Sequence, residues 1–212
     1  MPKVRFYLNT PLAFYGNKPL QPLMFDGILG YAWAIKNGLL KTPSEANQNN
    51  LLFPELPLEE IGDKCYAASA CFIPQEATMT PSMINRRADW AGPMARHGVK
   101  TMRYDVAVGW QQACQEVIWE LATPYVDFYF NGDKKGVVDL LSIIFKMRYL
   151  GSKRGIGYGL IRKIDIKDKS EDWAIWRDGQ PTRPLPVEIV GEKPGLTAEW
   201  FTYYPPYWMT TN

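Results

Sequence analysis

Hydrophobic and polar positions alternate from the start of the chain. In KVRFYL, Val4, Phe6 and Leu8 face one way and Arg5 and Tyr7 the other, which predicts a half-buried strand. A loop rich in Pro, Gly and Asn follows, and then FDGILGYAWAIKNG takes up helical spacing. Asp26 is placed to cap a helix that begins near Gly27, and Gly38 to end it. Ile28, Tyr31, Ala32 and Ile35 form its apolar stripe. Residues 41–63 are Asn-rich and then acidic, and read as a surface excursion. The small apolar residues of CYAASACFI, 65–73, predict a buried strand.

From 74 to 100 neither period persists. Met, Pro, Gly and Arg crowd together in MTPSMINRRADWAGPMARHGVK, which reads as an irregular insertion between strands. Alternation returns in TMRYDVAV, with Met102, Tyr104, Val106 and Val108 inward. QQACQEVIWEL reads as a short helix or turn. In YVDFYF, Val126, Phe128 and Phe130 oppose Tyr125, Asp127 and Tyr129. NGD at 131–133 is a turn signal, and a helix over 135–149 places Val137, Leu141 and Ile144 on one face. LIRKIDI is a further strand, and an aromatic, Pro-rich extension covers about 170–212. The order is strand, helix, strand, insertion, strand, strand, helix, strand. That order suits a single α+β domain with a ferredoxin-like or RRM-like antiparallel sheet.

Composition narrows the class only slightly. With 212 residues and 46% hydrophobic content, the chain can bury one good core. A net charge of +2 means that any polyanion-binding argument must rest on local charge. Cys65, Cys71 and Cys114 show no CxxC spacing, so free thiols in a reducing compartment are expected and a metal site is not. No cofactor motif is present. No apolar run approaches a membrane span, and the N-terminus lacks a signal-peptide core, which leads to the expectation of a cytoplasmic protein with no membrane partner.

The chemistry concentrates in YLGSKRGIGYGLIRKIDI. A phosphate loop of the GxxxxGK[ST] type fails here, because Lys153 precedes the glycines and the flanking order is helix, loop, strand. A dinucleotide fingerprint fails for the same reason, since no helix N-terminus follows the glycines. Gly151, Gly155, Gly157 and Gly159 instead permit positive φ, let a foreign backbone come close, and leave N–H groups able to face phosphates. Between 146 and 169 stand Lys146, Arg148, Lys153, Arg154, Arg162, Lys163, Lys167 and Lys169, against Asp165 and Asp168. That local excess is the electrostatic footprint of a polyanion site. The alternative is a plain turn with a solvated basic face.

Taken together, DFYFNGD, the apolar helix, LGSKRGIGYGLI and the early FDGILGYA resemble the RAMP superfamily of CRISPR-associated proteins. WRDGQPTRPLPV and PPYW are similar to the Cas five-type subunit of type IV CRISPR effector complexes. The resemblance implies RRM-like architecture and a glycine-rich loop between the last helix and last strand of the domain. The loop glycines are compressed into GIGYG, where the family spreads them more widely.

The resemblance further implies a non-catalytic subunit that binds the 5′ handle of the guide RNA (crRNA). It would contact backbone Cas seven-like subunits, sit in one complex with a large-subunit-like protein, and reach DNA flanking the target. Lys153 and Arg154 would lie on phosphates with Ser152 beside them, their side chains facing solvent in the free subunit, flanked by Arg148 and Arg162. Arg86, Arg87 and Trp90 of the insertion would form a second contact arm; the alternative is a solvated loop with Trp90 packed on the core. Some RAMP relatives cleave guide-RNA precursors with a histidine. The single histidine here, His97, lies near Arg96 and Lys100 and is the catalytic candidate if the protein is an endoribonuclease. The aromatic WFTYYPPYW is expected to clamp onto its own core.

Overall fold

A computed structural model of the chain describes residues 1–15, 23–39, 54–62, 65–86, 114–191, 193 and 195–196. Arg87, Trp90, His97, the 101–108 segment and the C-terminal aromatics lie outside the described residues.

Strand β1, Pro2–Leu8, pairs antiparallel with β5, Tyr125–Tyr129, on one side and with β6, Ile161–Asp168, on the other. Val4 and Phe6 are fully buried and Leu8 nearly so, as the alternation predicts. The outer edge of β5 is lined by 65–72. Phe72 and Asp127 exchange backbone hydrogen bonds of 2.8 and 3.1 Å, and Asn131 N donates to Ala67 O at 2.9 Å. This segment forms isolated bridges at Tyr66, Ala68, Ala70 and Phe72 rather than the continuous strand expected, because alternate residues bridge to different neighbours. Counting 65–72 as the second strand, the sheet runs fourth, first, third, second, all antiparallel. This is the ferredoxin-like order.

Helix α1, Phe25–Lys36, and helix α2, Lys134–Met147, cover one face of this sheet. Phe25 stacks on Phe128 at 5.3 Å and lies 5.4 Å from Phe130, while Phe6 meets Phe128 edge-on at 5.6 Å. Each buried ring of this size contributes about 1.5–3 kcal/mol. In α1 the stripe is Phe25, Ile28, Leu29 and Ala32, whereas Tyr31 and Ile35 are only half-buried. Asp26 is not the cap. Met24 occupies that position, and Asp26 lies in the first turn, inaccessible to solvent, with Arg183 Nη1 2.8 Å from its Oδ2. In α2, Asp133 is a true cap, accepting from Lys135 N and Gly136 N at 3.0 Å, a contribution of about 1 kcal/mol.

A second sheet departs from the sequence expectation. Strands β2, Leu12–Tyr15, β4, Cys114–Ala122, and β3, Thr78–Arg86, lie side by side with β4 in the middle. Two readings are corrected. Residues 78–86 are not irregular: among the described residues β3 is an edge strand, a position that tolerates Pro81. Of QQACQEVIWEL, the described part from Cys114 onward is a strand, not a helix. Ile118 and Leu121 are buried on opposite faces of β4, so its apolar pattern does not show a clean period of two. A short hairpin of β7, Trp176–Arg177, and β8, Gln180–Pro181, precedes a one-turn helix, α3, Val187–Val190. Among the described residues no helix is long and apolar enough to cross a membrane.

Candidate nucleic-acid interface

The glycine-rich loop joins α2 to β6, the placement expected from the sequence. Helix α2 ends on Arg148, a non-glycine residue at φ 65°, whose N–H reaches Ile144 O at 3.1 Å. The loop then turns through left-handed positions at Gly151, Lys153, Gly157 and Gly159. Gly159, at φ 71°, admits nothing larger, since a Cβ there would stand 1.9 Å from Leu150 O. Gly157, at φ 97°, has open space around it and is required by its backbone angle alone.

The loop is held firmly. Leu150 N donates to Gly159 O at 2.8 Å, and Gly159 N to Pro11 O at 2.7 Å. Ile161 N donates to Arg148 O at 2.7 Å. Thr10 Oγ1 donates to Gly157 O at 2.7 Å and accepts from Leu160 N at 2.8 Å. Ile156 N and Gly157 N close a single 3₁₀ turn onto Lys153 O and Arg154 O. Several of the amides expected to face phosphates are therefore used within the fold.

The side chains require a further correction. Ser152, expected on a phosphate, donates its hydroxyl to Ala13 O. Lys153 and Arg154 do not simply face solvent. Lys153 pairs with Glu116 of β4, and Arg154 donates to Tyr31 Oη at 3.1 Å with its guanidinium 4.6 Å from the centre of that ring. Tyr158 donates to Glu120, and this bond holds the phenol above its ordinary pKa. Glu116, Ile118 and Glu120 share one face of β4, and the loop lies against it. The composition of YLGSKRGIGYGLIRKIDI gave no sign of these carboxylates, which stand on a strand the sequence pattern disguised. Gly155 and Ile156 form the exposed tip.

Arg148 and Arg162 flank the loop and are exposed. Arg86 ends β3, away from the glycine-rich loop in sequence, with its backbone paired to Cys114. Further along β6, Lys163 and Lys167 lie 3.7 and 3.6 Å from Asp165, and Lys134 lies 2.8 Å from Asp168. The described residues thus bring Arg148, Gly151, Ser152, Lys153, Arg154, Gly155, Gly157, Gly159 and Arg162 into one contiguous region. Among the described residues no cluster of His, Cys, Asp and Glu could hold a metal ion.

A family described as "CRISPR type IV associated protein Csf3" matches residues 2–212. No curated protein matches. Among solved structures, a chain in "Cryo-EM structure of the Type III-B Cmr-beta bound to cognate target RNA" is similar at 14% identity with a TM-score of 0.41. The match covers 78% of this chain and 59% of that one, so the chain spans under two thirds of that relative's length.

Proposed function

Because the chain belongs to the Csf3 family of CRISPR type IV associated proteins, we propose that it is a non-catalytic, RNA-binding subunit of a type IV effector ribonucleoprotein. It binds the 5′ handle of the guide RNA, caps a backbone of Cas seven-like subunits, and meets a large-subunit-like protein in the same complex. The observation that carries this reading is the pinned glycine-rich loop, with Lys153 and Arg154 within it and Arg148 and Arg162 at its ends. A loop already ordered by Thr10, Glu116 and Glu120 loses little conformational freedom when it closes on a ligand. Glu116 occupies the place that a phosphate oxygen would take beside Lys153. Exchange of a carboxylate for a phosphate keeps the ammonium paired throughout. Irregular single-stranded RNA suits such a surface better than a duplex does, since basic grooves and flexible backbones grip it without groove reading.

The test is a titration with a fluorescently labelled guide-RNA repeat at several salt concentrations. Binding without cleavage is expected, with a salt slope near 0.7 per neutralised phosphate. Lys153→Ala with Arg154→Ala should weaken binding and make the slope shallower by roughly 1.4. The pair with Glu116 is partly buried, so a small loss of stability should accompany it. Unchanged affinity and slope in the double variant would overturn the loop assignment. Cleavage that is lost on His97→Ala would overturn the non-catalytic reading.

A further inference from the structure

The sheet has a second face, opposite α1 and α2, and its two ends differ. At one end Phe72, Tyr129 and Trp173 pack together with centroids 5.1, 5.2 and 5.9 Å apart, and Arg177 lies 4.4 Å over the Trp173 ring. That end is roofed by the chain after β6. At the other end, nearest the glycine-rich loop, Tyr7 of β1 stands directly opposite Tyr125 of β5. Their rings are half-buried, 6.3 Å apart and tilted by 59°.

Cations surround this pair. Arg5 stacks 3.6 Å over the Tyr125 ring, fixed by two 2.7 Å bonds to Asp127. The hydrogen bond to Asp127 also raises the guanidinium pKa, and an arginine stays charged at any working pH. Arg162 and Lys163 lie 5.6 and 5.7 Å from the Tyr7 centroid. Consecutive residues of a regular strand point to opposite faces and cannot both reach one ring. Here the pairing of β1 with β6 shifts between Tyr7 and Leu8, so that Lys163 is opposite Tyr7 but Ile161 is opposite Leu8. The extra residue is Arg162, and the bulge turns its head group onto the same tyrosine as its neighbour.

We propose that Tyr7, Tyr125, Arg5, Arg162 and Lys163 form a stacking platform for bases of single-stranded RNA leaving the glycine-rich loop. The platform begins three residues beyond Gly159, so one strand can pass from loop to sheet. It rests on the RNA-binding reading above and adds base stacking to phosphate contact. Lys3, Arg5, Arg162, Lys163 and Lys167 outnumber Asp127 and Asp165 on and beside this face, which favours a polyanion. Tyrosine and arginine planes supply the π surfaces on which unstacked bases settle.

The experiment titrates the full chain with a short oligoadenylate carrying 2-aminopurine and, separately, with inorganic polyphosphate. Tyr7→Leu with Tyr125→Leu should weaken the oligoadenylate about ten-fold, within the range for loss of base stacking, and abolish quenching of the 2-aminopurine. Polyphosphate binding should not change. Lys153→Ala should weaken both ligands. If the double variant melts early, the single Tyr7→Leu replaces it, with a loss of about three-fold for oligoadenylate and none for polyphosphate expected. Loss of base-dependent binding alongside an inert Lys153→Ala supports the platform and sinks the loop. Sensitive Lys153→Ala with unaltered binding and quenching in the tyrosine variant overturns the platform alone.

Discussion

Replacing Arg183 with methionine should destabilise the protein sharply, although the residue is not part of the glycine-rich loop. Its Nη1 is 2.8 Å from Asp26 Oδ2 and 3.0 Å from both Tyr66 O and Ala68 O, and neither charged side chain has any solvent exposure. One guanidinium therefore ties the segment after β8 to the first turn of α1 and to the 65–72 edge. Removing one member of a buried ion pair costs about 3–5 kcal/mol, because the other charge stays in a medium that solvates it poorly. For a chain of this length each kcal/mol moves the melting temperature by about 2–4 °C, so a fall of about 6–20 °C is expected. Asp26→Leu combined with Arg183→Met removes both charges and should recover most of the loss. A residual deficit of about 1–3 kcal/mol would belong to the two carbonyls that lose a donor. Urea denaturation, with the midpoint shifting and the slope unchanged, measures each term. A single-variant loss below about 1 kcal/mol, or a double variant no better than the single, would show that the buried pair does not anchor this segment.

Further outcomes test the loop and the core. Glu116→Gln should tighten RNA binding by roughly five-fold, because Lys153 no longer has to leave a carboxylate; weaker binding would mean that Glu116 positions the lysine rather than competing for it. Gly159→Ala should lower the melting temperature and RNA affinity together, since its Cβ would strike Leu150 O. Gly155→Ala, with open space around it and no positive φ, should leave the fold unchanged, and equal effects on thermal melts would refute the distinction. Burial pushes the Tyr66 phenol up to about 12. Its contribution is therefore complete below the ordinary value of about 10 and is lost as pH rises toward about 12. Urea midpoints should fall more steeply over that window in the parent than in Tyr66→Phe, and parallel curves would contradict the assignment.

The elements legible in the sequence were those whose burial has one simple period. β1 alternates against the helical layer, β5 turns Val126 and Phe128 to that layer although Asp127 and Tyr129 are buried on its other face, and α2 carries one apolar stripe under Val137, Leu141 and Ile144. The pattern of β4 hides its period because Ile118 is buried on one face and Leu121 on the other, while Val117, on the same face as Leu121, is exposed. β3 was misread because Pro81 suits an edge strand, and edge position is a property of the sheet rather than of the segment. Asp26 looks like a cap in sequence because caps are local; the partner that draws it into the core is Arg183, far along the chain. The same limit applies to the candidate site. Glycines and cations mark the loop, but Glu116 and Glu120 of β4 and Tyr31 of α1, which hold it in shape, come from two elements distant in sequence from it.

The position of β1 has a consequence for how the protein is made. It is a central strand, yet its two neighbours are synthesised only after most of the chain has followed it. At roughly 5–20 residues per second, β1 waits on the order of ten to thirty seconds for β6 to leave the ribosome. Until β5 emerges neither edge of β1 has its native partner, and the edge that β6 takes stays open through the whole interval, so the nascent chain carries an unpaired central strand. Fragments ending before Ile161 cannot complete the sheet, and a stop just short of β6 should yield insoluble product rather than a smaller folded domain.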